Sequence, residues 1–361
     1  MVLISGFPSS PYGLVSFTIS HLKTTCNKIF DFPLALVGGF GNYFLPVQVG
    51  APDMAKYFPK NVSSVPGKVH KFSRSFHSYN ISNTLNFQPI DNNLGSYLAG
   101  LIEGDGFISI TKENRIMLGI TFNLKDKPLA EFLLKKIGKG TIVKRKTNSL
   151  ELRFSAKKTI IAVIELINGK FRTPKIHQLC LLIDWINNKY NLNFEKLALD
   201  ITPLSSNAWL AGFIEADGNF YIRYPLDKNL PSCRFSLEQR MVYPKTQESY
   251  FFILNNISSF LGAKLDVRNR ENYKNSYYNI KVENQKSVKI LIEYLDKFSL
   301  LSSKFLDYNN WKNSFVIILD KRHNTEEGKK IILENKNSMN DKRTYLNWEH
   351  LNKVELECRL L

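Results

Sequence analysis

Four acids stand out by type and spacing. Glu103 and Asp105 close the string LAGLIEGDG at Leu98–Gly106, and Glu215 and Asp217 close LAGFIEADG at Leu210–Gly218. Each string is a short apolar run ending in two acids and a glycine, followed by a stretch that alternates apolar and polar residues as a strand does. Two near-identical copies in one chain make an internal duplication with one acidic cluster per half. Oxygen ligands of this kind suit a divalent cation such as Mg2+. The chain carries 49 Lys+Arg against 32 Asp+Glu, a net charge of +17, and such an excess favours a polyanionic partner. A duplicated carboxylate site in a basic protein points to metal-dependent chemistry on a nucleic acid.

The elements that must hold these acids repeat as well. In the first half the pattern predicts a helix over Leu94–Glu103, strands over Phe107–Thr111 and Arg115–Lys125, a helix over Leu129–Ile137, strands over Gly140–Lys146 and Leu150–Ser155, and a helix over Lys158–Asn168. The second half repeats the order with Asn207–Glu215, Phe220–Tyr224, Cys233–Arg240, Ser249–Leu261, Lys264–Arg270, Tyr277–Val282 and Gln285–Phe298. Asn93 or Asp91 can cap the first motif helix, and Ser205 or Ser206 the second. Gly100 and Gly212 fall mid-helix, where glycine costs about 0.5–1 kcal/mol relative to alanine. That cost makes sense if the two motif helices approach each other through Ala99/Gly100 and Ala211/Gly212. The acids would then crowd the C-terminal ends of both helices. The macrodipole there disfavours each carboxylate by roughly 0.3–1 kcal/mol, and a divalent cation would relieve the conflict. For Glu103 and Glu215, hydrogen bonding to the turn or simple solvation is the competing reading.

Residues 1–90 differ in character. They hold +5 of the charge and leave +12 on the rest. Pro33–Pro52 has no charged residue and is long enough to span a bilayer, but its glycines and Pro46 make it a poor helix. Ser63–Asn80 reads as a polar, basic linker. The cysteines Cys26, Cys180, Cys233 and Cys358 lie far apart and form no zinc pattern, which fits a reducing compartment. The expected organisation is an extension over 1–90, a first repeat over 91–200, and a second over 201–345 with a tail to 361.

Two resemblances sharpen the reading. Leu34–Ala55, LALVGGFGNYFLPVQVGAPDMA, resembles a segment of cytochrome c oxidase subunit 1. That implies translated upstream exon, an intron frame opening near Lys56, and a mitochondrial setting; the alternatives for the segment are a membrane anchor or a targeting segment. The doubled motif resembles the LAGLIDADG homing endonucleases with both repeats on one chain, over roughly residues 91–320. The resemblance implies an α+β fold: two pseudo-symmetric αββαββα repeats with curved antiparallel sheets, packed through their motif helices. It implies Asp105 and Asp217 as metal-binding acids, with the Gly104 and Ala216 carbonyls able to assist. Lys175 in Thr173-Pro174-Lys175 and Lys304 in Ser302-Ser303-Lys304 occupy equivalent places and are candidates to order the attacking water, unless each is a plain surface lysine. Gln239 in FSLEQR aligns with a family glutamine near the active site, and the first half departs there with Asp126 in FNLKD.

In that family each sheet lies in the DNA major groove, so strand parity selects the contact residues. On the first strands these are Phe107, Ser109 and Thr111, then Asn219, Tyr221 and Arg223. On the second they are Thr121 and Asn123, then Arg234 and Ser236. On the third they are Lys144 and Lys146, then Arg268 and Arg270. Arg and Asn read base edges, whereas Lys mostly meets phosphate; a one-residue register error would flip each set. The expected activity is a staggered, Mg2+-dependent double-strand cut at a long asymmetric site, the intronless cytochrome oxidase allele, by a monomer without an obligate protein partner. The alternative is an RNA maturase that binds its own intron, alone or alongside cleavage. A regulatory DNA-binding protein without catalysis is a third.

Overall fold

The computed structural model describes residues 90–361, apart from Leu226, residues 228–229, 270–274 and 358–361. The exon-like segment, the linker, Arg270, Cys26 and Cys358 lie outside the described residues. Helix α1 (Ile90–Asp105) leads into strands β1 (Gly106–Ile110) and β2 (Ile116–Asn123). Helix α2 (Lys127–Ile137), strands β3 (Thr141–Lys144) and β4 (Ser149–Phe154), and helix α3 (Lys157–Ile167) complete the unit. The second unit runs α5 (Trp209–Asp217), β5 (Gly218–Arg223), β6 (Ser232–Arg240), α6 (Phe251–Leu261), β7 (Lys264–Asn269), β8 (Ser276–Val282) and α7 (Gln285–Lys297), with α4 (Ile176–Tyr190) between the units. Both sheets are antiparallel, in the orders β1-β2-β4-β3 and β5-β6-β8-β7, so the expected αββαββα duplication and α+β class are present.

The sheets follow from alternation. In β5, Phe220 and Ile222 are buried while Asn219, Tyr221 and Arg223 are exposed. One face is therefore packed and the other wet. On the packed face Ile120, Leu152 and Phe154 meet Leu129, Leu133, Ile160 and Ile164, all buried in one continuous core. The motif helices run through the middle of that core: Leu98, Ile102, Trp209, Leu210 and Ile214 are fully enclosed.

Four helices lie beyond the expected elements: α4, α8 (Lys304–Leu319), α9 (Glu326–Asn337) and α10 (Glu349–Glu357). The first was there to be read, since Leu179, Leu182, Ile183 and Ile186 recur at helical spacing and are buried. The expected caps are corrected. Helix α1 is already under way at Ile90, which places Asn93 inside it. The second motif helix is entered through Asn207, whose side chain accepts from the Trp209 N–H at 3.0 Å, while Ser205 and Ser206 form a 3-10 turn before it.

Candidate active site

Helices α1 and α5 touch through their glycines. A methyl group on Gly100 would run into the Trp209 carbonyl oxygen and stand 2.8 Å from the Phe213 nitrogen. One on Gly212 would run into the Tyr97 carbonyl and stand 2.9 Å from the Leu101 nitrogen. Further along, Gly104 meets the Ala216 side chain, so the two helices also end together.

The two glutamates turn away from those ends and tie the seam. Glu103 accepts from the backbone N–H of Arg172 (2.9 Å) and of Thr173 (2.6 Å), and from the Trp209 indole across the seam (2.5 Å). Glu215 accepts from the Tyr97 hydroxyl (3.0 Å), from the N–H groups of Leu301 and Ser302, and from the Ser302 hydroxyl. Tyr97 and Trp209 occupy the same place in their motifs, so the ties are reciprocal. Burial pushes the Glu103 carboxyl up to about 7 and raises Glu215 as well, against the lowering effect of these donors. These glutamates are hydrogen-bonded to the turns.

Lys175 and Lys304 begin α4 and α8, yet their ammonium groups reach the ends of the motif helices. Lys175 Nζ donates to the carbonyls of Ile102 (2.9 Å), Glu103 (3.1 Å), Gly104 (3.3 Å) and Gly106 (2.6 Å). Lys304 Nζ donates to Ile214 (3.0 Å) and Gly218 (2.6 Å). A cation there satisfies orphan carbonyls and offsets the negative end of the dipole, so part of the electrostatic conflict expected from the sequence is met by lysine. Burial pulls Lys175 down to about 8 and lowers Lys304.

Asp105 and Asp217 remain at the helix ends. Solvent reaches Asp105 and Asp217 is half-buried, yet protein crowds both enough to raise their carboxyls. Asp217 is pushed up to about 7 by burial and by the charge of Asp105, while both lysines pull it down. Asp105 is raised by burial, with Lys304 and Lys175 opposing. No group of three or more His, Cys, Asp or Glu side chains gathers in metal-holding geometry among the described residues. Two carboxylates are nonetheless the usual protein contribution to a Mg2+ site completed by substrate phosphates and water. The mutual repulsion of Asp105 and Asp217 is what a cation between them would relieve, so the residues fit one. The Gly104 carbonyl is shared with Lys175.

Gln239 reaches the site: its Nε2 donates to Asp217 Oδ2 at 2.9 Å. Asp126 is not its counterpart. Strand register pairs Gly106 with Ile120 and Gly218 with Leu237, which puts Phe122 in the place of Gln239. Asp126 instead accepts from the Ser303 N–H at the start of α8 (2.8 Å).

On the wet faces, Ser109, Thr121, Arg234 and Ser236 are half-buried, and Asn123, Asn219, Tyr221, Arg223 and Arg268 are exposed. Phe107 shares their face in the first sheet through its pairing with Gly119, and Thr111 follows in the turn, where its hydroxyl accepts from Arg115. Lys144 is a correction. It pairs with buried Leu150 and so belongs to the packed face, while Val143 pairs with Glu151 on the wet one. Lys146 is exposed in the following turn. The wet face instead carries Arg145 and Arg153, both bonded to Glu151, at 2.6 and 2.8 Å. The second sheet has Arg268 on Glu238 at 3.1 Å and Lys281 on Asp266 at 3.1 Å. The alternation of LELRF over Leu150–Phe154 was the available signal for Glu151 and Arg153.

A basic chain whose two sheet-bearing repeats meet along paired helices, with one carboxylate from each at the common end, has the architecture of a single-chain, two-repeat nuclease. The chain belongs to the LAGLIDADG endonuclease family, whose sequence model matches residues 98–186 and 210–315. It is 30% identical to the intron-encoded DNA endonuclease aI3 of Saccharomyces cerevisiae, over 90% of this chain and 82% of that protein. It is 35% identical to a cox1 intron-2 protein of 37.2 kDa from Schizosaccharomyces pombe, over 66% of this chain and 70% of that one. Its fold matches the LAGLIDADG homing endonuclease I-LtrWI, solved bound to target DNA, with a TM-score of 0.51 at 21% identity, over 69% of this chain and 98% of that one.

Proposed function

We propose that the protein is an intron-encoded, site-specific DNA endonuclease that cuts both strands by Mg2+-dependent phosphodiester hydrolysis, with Asp105 and Asp217 as its metal-binding acids. The observation that carries this reading is the meeting of those two carboxylates at the joined ends of α1 and α5, beside two lysines and below two sheets with wet, basic faces. A bound divalent cation would supply Lewis acidity to the scissile phosphate and lower the pKa of a water. The chain's own residues hold that pair in place: Lys175 and Lys304 fix the helix ends, and Gln239 fixes Asp217. Ser109, Thr121, Asn123, Asn219, Tyr221, Arg223, Arg234, Ser236 and Arg268, joined by Arg145 and Arg153, form the DNA surface. They differ between the halves, so the site is long and asymmetric.

The resemblance of Leu34–Ala55 to a cytochrome oxidase exon supports a mitochondrial intron as the gene's place, and the substrate in this reading is the uninterrupted exon junction near the codons for Gly50–Ala55. The test is cleavage of intronless and intron-bearing junction DNA in Mg2+. The intronless duplex is expected to be cut and the other spared. Asp105→Asn and Asp217→Asn should each abolish double-strand cleavage while DNA binding persists. Tight intron-RNA binding with faster splicing, and no cleavage of the intronless junction, would replace the nuclease by an RNA maturase.

A further inference from the structure

The two carboxylates have unequal surroundings. Gln239 donates to Asp217, and the amide is oriented for it, because its Oε1 accepts from the Arg240 N–H at 2.8 Å and so turns Nε2 toward the acid. One oxygen of Asp217 is thereby fixed, and the other takes no hydrogen bond among the described residues. Asp105 receives no such bond among the described residues. It borders a cavity of about 350 Å³ whose wall includes Phe122, the residue that register equates with Gln239. A phenyl ring has no donor to offer.

The loops that cross the seam extend the difference. From the first repeat, Asp126 reaches the start of α8, and its negative charge acts on Lys304. From the second, the longer loop after β6 brings Tyr243 to Gln178 of α4, and the positive charge of Lys245 acts on Lys175. The cavity beside Asp105 is lined by Asp126 and Asp341 together with Lys125 and Lys304, and Asp307 in its wall is paired with Arg343. A phosphate approaching Asp105 therefore meets an acid without the hydrogen bond that holds Asp217, beside a cavity lined by both signs of charge.

We infer that Gln239 is a positioning residue for one strand only, and that the protein cuts its two DNA strands in order, the strand facing Asp217 before the strand facing Asp105. This rests on the endonuclease reading. A hydrogen bond to a charged group accounts for about tenfold or more in rate when it operates in one half-reaction and is missing from the other. A nicked duplex cut in one defined strand accumulates and is then consumed.

The experiment uses the full chain and a duplex carrying the intronless junction, with a different fluorophore on each strand. Cleavage of both strands is followed in Mg2+, and DNA affinity is measured in Ca2+ under non-cleaving conditions. Gln239→Leu is expected to slow the faster strand about tenfold and remove most of the bias, with unchanged affinity in Ca2+ and weaker Ca2+ uptake by the protein–DNA complex in calorimetry. Phe122→Gln is expected to speed the slower strand. Simultaneous cutting of both strands by the wild-type chain, or equal slowing of both by Gln239→Leu, would overturn the inference and leave the endonuclease reading standing. Absence of any cleavage by the wild-type chain would instead remove the endonuclease reading, and this inference with it.

Discussion

Gly212→Ala is a small change at a place where nothing can give. The added methyl overlaps the Tyr97 carbonyl oxygen and stands 2.9 Å from the Leu101 nitrogen. These are backbone atoms of the opposite helix, which no rotamer change can clear. Alanine improves helix propensity by about 0.5–1 kcal/mol, and overpacking a close contact costs about 1–3 kcal/mol, so a net loss of roughly 1–2 kcal/mol is expected. In a fold of this size, each kcal/mol lowers the melting temperature by roughly 2–4 °C, which gives a drop of about 2–8 °C. The effect on cleavage should be larger than the effect on stability. Separating the helices also shifts Asp105 relative to Asp217, and a misplacement of about 1 Å can cost on the order of a hundredfold in rate. Gly100→Ala should behave alike, because the contact is reciprocal, and the double variant should lose less than the sum, since a seam opened once accommodates the second methyl. Thermal denaturation and plasmid cleavage of the three variants provide the measurement. A melting temperature equal to or above that of the parent for Gly212→Ala would refute the picture of backbone-to-backbone packing.

Other outcomes follow from the same geometry. Lys175→Met should destabilise the fold more than Lys304→Met, because Lys175 donates to the carbonyls of Ile102, Glu103, Gly104 and Gly106 and Lys304 to those of Ile214 and Gly218; urea denaturation ranks them, and the reverse order would sink the capping role. Glu103 and Asp217 sit near 7 in the metal-free fold, above their unfolded values. The stability they contribute is full below the unfolded values near 4 and is lost as pH rises through about 7, so the metal-free melting temperature should fall between pH 5.5 and 8, on the order of the span of that titration. A rise over that interval would contradict the shifts. Binding of a divalent cation should release protons and strengthen as pH rises, which calorimetry in buffers of different ionisation enthalpy reads directly. Arg145→Ala should weaken DNA binding more than Lys144→Ala, since Arg145 shares the wet face with Glu151 and Lys144 does not; equal losses would restore the opposite parity.

Much of the fold was legible because it is duplicated and periodic. The motif strings, the mid-helix glycines and the alternation of GNFYIR each report local geometry, and each is local in sequence. What the sequence withheld is set by contacts between distant segments. Phe122 rather than Asp126 holds the place equivalent to Gln239 because strand pairing decides equivalence, whereas the shared Phe and Leu of FNLKD and FSLEQR suggest a different alignment. Lys144 changed faces because the parity of a four-residue strand depends on where it starts. The lysines were picked out as equivalent, but that their ammonium groups cap the motif helices from the N-termini of other helices follows only once α4 and α8 are folded back. The side-chain bond at the entry to the second motif helix comes from Asn207, one residue before the Ala208 cap, because the serines are consumed in a 3-10 turn.

The exchange of donors across the seam bears on how such a protein can be recombined. Glu103 depends on the indole of Trp209, and Glu215 on the phenol of Tyr97, each held by the other repeat. A repeat grafted onto a foreign partner would keep the backbone donors of its own glutamate, Arg172 and Thr173 or Leu301 and Ser302, but lose the donor that crosses the seam. Chimeras of two repeats are therefore constrained at a site remote from any base the sheets read. A graft that keeps a donor at the position of Tyr97 or Trp209 preserves this bond, whereas one that supplies an aliphatic residue there leaves a buried acid one donor short however well its sheets match the DNA.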